Sequence, residues 1–103
     1  MATAPVYTTG SWRPFAGSED GFLAAWRDFA AWAASLPGAG EAILARDLRD
    51  PGRYVSFVAW ESLDAVRGWK THAEFKQRMS LVQEHVDEFA PTETEVVARV
   101  TPS

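Results

Sequence analysis

The chain contains no cysteine, which removes disulfides, thiolate nucleophiles, iron–sulfur clusters and zinc–thiolate sites together. Its two histidines, His72 and His85, stand thirteen residues apart and so lack the paired spacing of a metal site on a helix face. Basic residues are also in short supply, 10 Lys and Arg against 14 Asp and Glu. They are scattered along the chain, so no nucleic-acid footprint forms. No apolar run reaches the roughly 18 residues of a membrane span, and MATAPVYTTG is not a basic region followed by an apolar one. The expectation is a cytoplasmic protein with no membrane or nucleic-acid partner. Repeats, low-complexity stretches and linkers are missing too, which predicts a single domain over 1–103. No serine–histidine–acid set, phosphate loop or acidic metal cluster emerges. Asp47 and Asp50 read as turn residues, and Glu84, Asp87 and Glu88 as a solvated helix face.

What the chain does have is aromatic bulk: five Trp and six Phe in 103 residues. A domain of this size buries roughly 60–70% of its unfolded surface, so large side chains must supply its one core or line a pocket within it. Hydrophobic residues at 47% and charged residues at 23% are ordinary globular usage and argue against disorder.

Residues 5–12, PVYTTGSW, read as a first strand ended by Arg13-Pro14, with Gly10 marking a bulge or a close backbone approach. Ser18-Glu19-Asp20 offers an N-cap and an acidic first turn. Phe22, Trp26, Phe29, Ala33 and Leu36 then follow at helical spacing, predicting a helix over 18–36 that stops at Pro37-Gly38. Residues 41–60 read as an antiparallel hairpin turning at Asp50-Pro51-Gly52. Both strands are largely apolar on both faces, which predicts a sheet covered on two sides. Parity puts Tyr54, Ser56, Val58 and Trp60 on one face, and Arg53, Val55, Phe57 and Ala59 on the other. Ser62 caps a short helix. Thr71 with Glu74 suggests a capping box for a second main helix through Phe75, Met79, Val82 and Val86 to about 85–89, ended by Pro91. A last strand is expected near 93–100. The order strand, helix, strand, strand, helix, strand is an α+β, ferredoxin-like βαββαβ unit with a four-stranded antiparallel sheet.

The run PGAGEAILARDLRDPGRYVSFVAWESLDAVRGWKTHAEFKQRM resembles the antibiotic biosynthesis monooxygenase family of the dimeric α/β-barrel superfamily. The resemblance rests on Leu36-Pro37-Gly38, Arg49-Asp50-Pro51-Gly52, Trp60-Glu61-Ser62, and the later helix with His72 and Phe75. It implies a homodimer in which two sheets meet face to face, and a pocket in each subunit between sheet and helices. In relatives that oxidise aromatic polyketides without a cofactor, the strand corresponding to 53–60 carries a pocket Trp and, four residues earlier, a pocket Asn. Trp60 matches the Trp, and Ser56 stands in place of the Asn.

Such an oxygenase takes its electrons from the substrate, an electron-rich phenolate or enolate. The protein's part is to favour that anion and stabilise developing oxyanions in a dry site. On this reading Trp60 and Ser56 are the candidate catalytic donors. Trp12, Tyr54 and Phe75 would sandwich a small aromatic ligand, Arg46 or Arg78 would supply counter-charge, and His72 could accept a proton. The competing reading is a structural or ligand-binding homodimer without chemistry. Haem binding is the least favoured, because haem-degrading relatives place an axial His ten residues after a Trp like Trp69, and here that position is Met79.

Overall fold

The computed structural model describes residues 5–103, so the first four residues of the expected 1–103 domain lie outside it. A four-stranded antiparallel sheet is built from β1 (Val6–Pro14), β2 (Ala39–Arg46), β3 (Tyr54–Trp60) and β4 (Val86–Glu95) in the order β2-β3-β1-β4. Helix α1 (Glu19–Ala34) connects β1 to β2, and the pair α2 (Leu63–Lys70) and α3 (Phe75–Gln83) connects β3 to β4. This is the ferredoxin-like architecture, with the second helix split in two.

Local chemistry accounts for most boundaries. The Ser62 hydroxyl accepts a hydrogen bond from the Ala65 N–H at 3.1 Å and caps α2. The hairpin turns where Arg53 N–H reaches the Asp50 carbonyl at 2.8 Å. Between α1 and β2 the chain passes through Gly38 at φ +82, in the left-handed region where a side chain would be strained.

Burial alternates along β1, and along β3 from Tyr54 to Val58, as the period-2 pattern requires, while Ala59 is buried as well. Thr8, Trp12, Tyr54, Ser56, Val58 and Trp60 lie under the helices, against Phe22, Trp26, Phe29 and Ala33 of α1, Val66 and Trp69 of α2, and Met79 and Val82 of α3. The opposite face carries Phe57 and Ile43, which are paired across β2 and β3 and are 39% and 48% exposed.

Several expectations are corrected. The second main helix does not run to 85–89. It ends at Gln83, and β4 already starts at Val86. Val86 pairs with Pro14, and Phe89 sits opposite Trp12 and stacks on its ring at 3.9 Å. Pairing with β1 thus outweighs the helical spacing of Val82 and Val86. Pro91 therefore lies within an edge strand, where a missing N–H is tolerated, and residues 96–103 form no strand.

Gly10 makes no bulge, since its register is regular against both Ser56 and Pro91. The irregularities fall at Arg13/Pro14 and at Ala39/Ala42. The Thr71–Glu74 capping box does not form. Thr71 Oγ1 donates back to the Arg67 carbonyl at 2.7 Å, and the Glu74 N–H is taken by His72 Nδ1 at 3.0 Å. Ser18 occupies the N-cap position of α1, but its side chain makes no cap hydrogen bond and meets His85 Nδ1 at 3.1 Å instead.

Candidate functional site

A cavity of about 240 Å³ lies between the inner face of the sheet and the three helices. Its floor is Thr8, Gly10 and Trp12 of β1 with Ser56 and Val58 of β3. The helices contribute Trp26, Phe29, Ala30 and Ala33 from α1, Trp69 and Lys70 from α2, and Phe75, Met79 and Gln83 from α3. The β4 edge closes it with Phe89, Pro91 and Thr92, and Thr9 completes the lining. An apolar, aromatic-walled cleft with a few polar groups is the usual form of a small-molecule site.

Ser56 is 5% exposed and lies at the centre of the floor. Its Oγ accepts the Trp12 indole N–H at 2.9 Å, and in accepting that bond it keeps its own proton to donate. Gly10 makes this pair possible. A Cβ at Gly10 would stand 2.7 Å from Trp12 Nε1, 2.8 Å from Ser56 Oγ and 3.0 Å from Phe89 Cε1. The close approach read from the glycine is therefore made by side chains across the β1–β3 and β1–β4 pairs.

Of the residues singled out from the sequence, Ser56, Trp12 and Phe75 border the cavity, and the other five do not. Trp60 is fully buried at the end of β3. Its indole donates to Thr8 Oγ1 at 3.1 Å, and its ring stacks on Trp69 at 5.0 Å. It thus backs the cavity wall from behind. Tyr54 is buried beside Phe22, and its hydroxyl accepts from Arg46 Nη2 at 3.1 Å, which takes both to the far end of the sheet. Arg78 lies over the Trp32 ring at 5.0 Å and is ion-paired with Glu74. His72 packs edge-on against Trp32 at 5.2 Å while its Nδ1 accepts the Glu74 N–H just ahead of α3. These last two belong to an outer cluster where α1 meets α3.

Sequence reasoning missed several lining residues. Lys70 is the one charged side chain among the described lining residues, and its ammonium is 2.8 Å from a Glu93 carboxylate oxygen. That hydrogen bond, helped by the charges of Lys70 and Arg67, holds the Glu93 carboxyl below its ordinary range. Nothing in the order of residues sets Lys70 apart from any other surface lysine. Trp26, Phe29 and Ala33 were legible as the apolar stripe of α1, but a stripe does not distinguish filled core from the wall of a void.

Among the described residues no histidine, tyrosine, aspartate or glutamate lines the cavity, no group of three or more His, Cys, Asp or Glu side chains could hold a metal ion, and no helix is long and apolar enough to cross a membrane.

Several solved structures share this fold. A Bordetella bronchiseptica protein assigned as an antibiotic biosynthesis monooxygenase superposes with a TM-score of 0.81 at 22% identity, over 93% of this chain and all of its own. SnoaB, a cofactor-independent oxygenase from Streptomyces nogalater, matches in a point-variant form with a TM-score of 0.86 at 16% identity, over 97% of this chain and 100% of that one. A Deinococcus radiodurans protein of the same assignment gives 0.82 at 16% identity, over 95% and 98%. At these identities the likeness carries the fold and leaves the chemistry to the residues present. No curated protein matches the chain significantly in sequence. The sequence model of antibiotic biosynthesis monooxygenases matches residues 5–81, most of the chain, which therefore belongs to that family.

Proposed function

We propose that the protein binds a compact, electron-rich aromatic molecule in this cavity and oxidises it with dioxygen as a cofactor-independent monooxygenase, on substrates of the anthrone or phenol class that become quinones. The observation that carries the reading is a cavity walled by Trp12, Trp26, Phe29, Trp69, Phe75 and Phe89 with the Ser56 hydroxyl at its floor. At about 240 Å³ it lies below the roughly 300–1,000 Å³ of drug-sized pockets, which favours a small fused-ring ligand.

For an anthrone the change is a ring methylene to a carbonyl. The carbon loses two hydrogens and gains one oxygen atom, and the second oxygen atom of O₂ leaves with both hydrogens as water. All four electrons come from the substrate. Ser56 donates to the substrate oxygen, Trp12 holds Ser56 in place, and Lys70 raises the potential at one wall so that the anionic, oxygen-reactive form is favoured. Trp60 acts at one remove, fixing Thr8 and the Trp69 ring.

A second reading is favoured by the absence of any carboxylate or imidazole from the lining. Without a side-chain base next to the ligand, the cavity would serve as a binding site alone. Aerobic incubation with anthrone, following quinone absorbance, separates the two. The oxygenase reading expects turnover above the buffer rate, reduced by about ten-fold or more in Ser56→Ala, as for loss of one donor to a developing oxyanion. Saturable binding without turnover would support the binding reading. Failure to bind would defeat both.

We also propose that two copies associate through the sheet face bearing Phe57 and Ile43. Large apolar residues 39% and 48% exposed on an uncovered sheet face support an interface there.

A further inference from the structure

Four buried indoles, Trp12, Trp26, Trp60 and Trp69, surround the inner sheet face, and among the described residues the Trp69 N–H alone is both sealed from solvent and without a hydrogen-bond partner. Trp12 donates to Ser56 at 2.9 Å and Trp60 donates to Thr8 at 3.1 Å. Trp69 is 6% exposed and lines the cavity, yet its Nε1 has no hydrogen-bond partner among the described residues. A buried donor left without an acceptor bears its full desolvation penalty. Such groups are few in native proteins, and each calls for a physical cause. Packing does not supply one. The ring is fixed by Trp60 on one side at 5.0 Å, and by Phe29 at 5.8 Å and Phe75 at 5.1 Å around it, a purely aromatic enclosure in which a phenylalanine would carry no polar debt.

We infer that the Trp69 indole N–H is the donor that receives an acceptor oxygen of the cavity's ligand. The inference rests on the reading of the cavity as an aromatic-ligand site and adds to it a specificity rule. The ligand must carry a carbonyl or phenolate oxygen on the edge that faces α2. Lys70 follows Trp69 in that helix and also lines the cavity, so the two polar groups of the α2 wall are both donors. Across the floor, Ser56 adds a third. A flat ring bearing oxygen matches this wall, whereas a bare hydrocarbon of the same shape would enter and leave the Trp69 donor unsatisfied. Because Nε1 is sealed from solvent, the indole or its half-buried neighbour Phe75 shifts as the oxygen arrives.

The test uses 1,4-naphthoquinone, which has two acceptor oxygens and nothing left to oxidise in this chemistry, and naphthalene, which has none. The protein labelled with ¹⁵N at its indoles gives one N–H resonance for each of its five Trp, with Trp69 assigned from Trp69→Phe. The naphthoquinone is expected to move the Trp69 indole resonance downfield and naphthalene to leave it near its free position. Trp69→Phe is expected to weaken naphthoquinone binding by about 3- to 10-fold more than it weakens naphthalene binding, the range of one neutral hydrogen bond. Equal weakening of both probes, or a downfield shift at Trp12, Trp26 or Trp60 instead, would overturn the assignment to Trp69 and leave the aromatic site standing. If wild type binds neither probe, the site reading fails and the Trp69 assignment with it. Should Trp69→Phe fold poorly, the resonance shifts in wild type decide alone.

Discussion

Replacing Gly10 with alanine tests how the floor of the cavity is built. A methyl group at this position meets Trp12 Nε1 at 2.7 Å, Ser56 Oγ at 2.8 Å and Phe89 Cε1 at 3.0 Å. None of these atoms is the free end of a flexible chain, since Trp12 is stacked on Phe89 at 3.9 Å and hydrogen-bonded to Ser56. Forcing a methylene-sized group into a packed core costs about 1–3 kcal/mol, and prising Trp12 off Ser56 removes a further ~0.5–1.5 kcal/mol. Against this, alanine lowers the entropy of the unfolded chain and returns about 0.4–1 kcal/mol. The net expectation is a loss of about 1–3 kcal/mol, or a fall in Tm of roughly 4–8 °C per kcal/mol for a domain of this size. Thermal denaturation at fixed protein concentration measures it. Trp12→Phe removes the nearest of the three atoms, so the double variant should be less destabilised than the sum of the singles. If the two add within about 0.5 kcal/mol, or if Gly10→Ala is as stable as wild type, the steric account of Gly10 is wrong.

Three further outcomes are expected. Trp60→Phe removes the buried hydrogen bond to Thr8 and some fully buried volume, so stability should fall by about 2–3 kcal/mol while naphthoquinone affinity changes less than in Ser56→Ala; the reverse pattern would mean that Trp60 meets the ligand directly. The hairpin carboxyls set an acid limit. Asp47 is lowered first by the Arg49 N–H and further by Arg53, and Asp50 is lowered first by the Arg13 guanidinium. Folded values below the ordinary carboxylate value of about 3.9 mean that their contribution is complete above that pH and is lost as pH falls through the lower, folded values. Between pH 5 and 2, Asp47→Asn should therefore show a flatter decline in Tm than wild type, and parallel curves would remove Asp47 from the account. Phe57→Glu should convert a sedimenting dimer into a monomer; a wild type that is already monomeric at micromolar concentration would refute the proposed interface.

Short-range chemistry was legible wherever a few neighbouring residues settle the matter. Ser62 caps α2, the chain turns from Asp50 to Arg53, and the parity of β3 buries Ser56 while exposing Phe57. The boundary between α3 and β4 was not legible. Val82 and Val86 satisfy a helical period, and only the partner strand β1, with Trp12 waiting for Phe89, draws residues 86–91 into the sheet. Thr71 and Ser18 show the same limit at helix ends. Each reads as a local cap, but Thr71 Oγ1 turns back to the Arg67 carbonyl while His72 Nδ1 takes the Glu74 N–H, and the Ser18 side chain is taken up by His85, 67 residues further along the chain.

The site divides along the same line. Sequence by itself determined the family, the order of elements and which face of β3 looks toward the helices, because strand parity and capping depend on residues a few positions apart. It did not determine depth along that face. Tyr54, Ser56, Val58 and Trp60 share one side of a strand, yet only Ser56 and Val58 reach the cavity, because Trp69 covers Trp60 and Phe22 packs beside Tyr54. Tertiary structure likewise left Arg46 and Arg78 outside the cavity and put Lys70 in its lining, and left the buried Trp69 indole without an acceptor among the described residues. This cavity is the space that six elements jointly fail to fill, so its walls depend on contacts between residues far apart in the chain, and no short stretch of sequence encodes them.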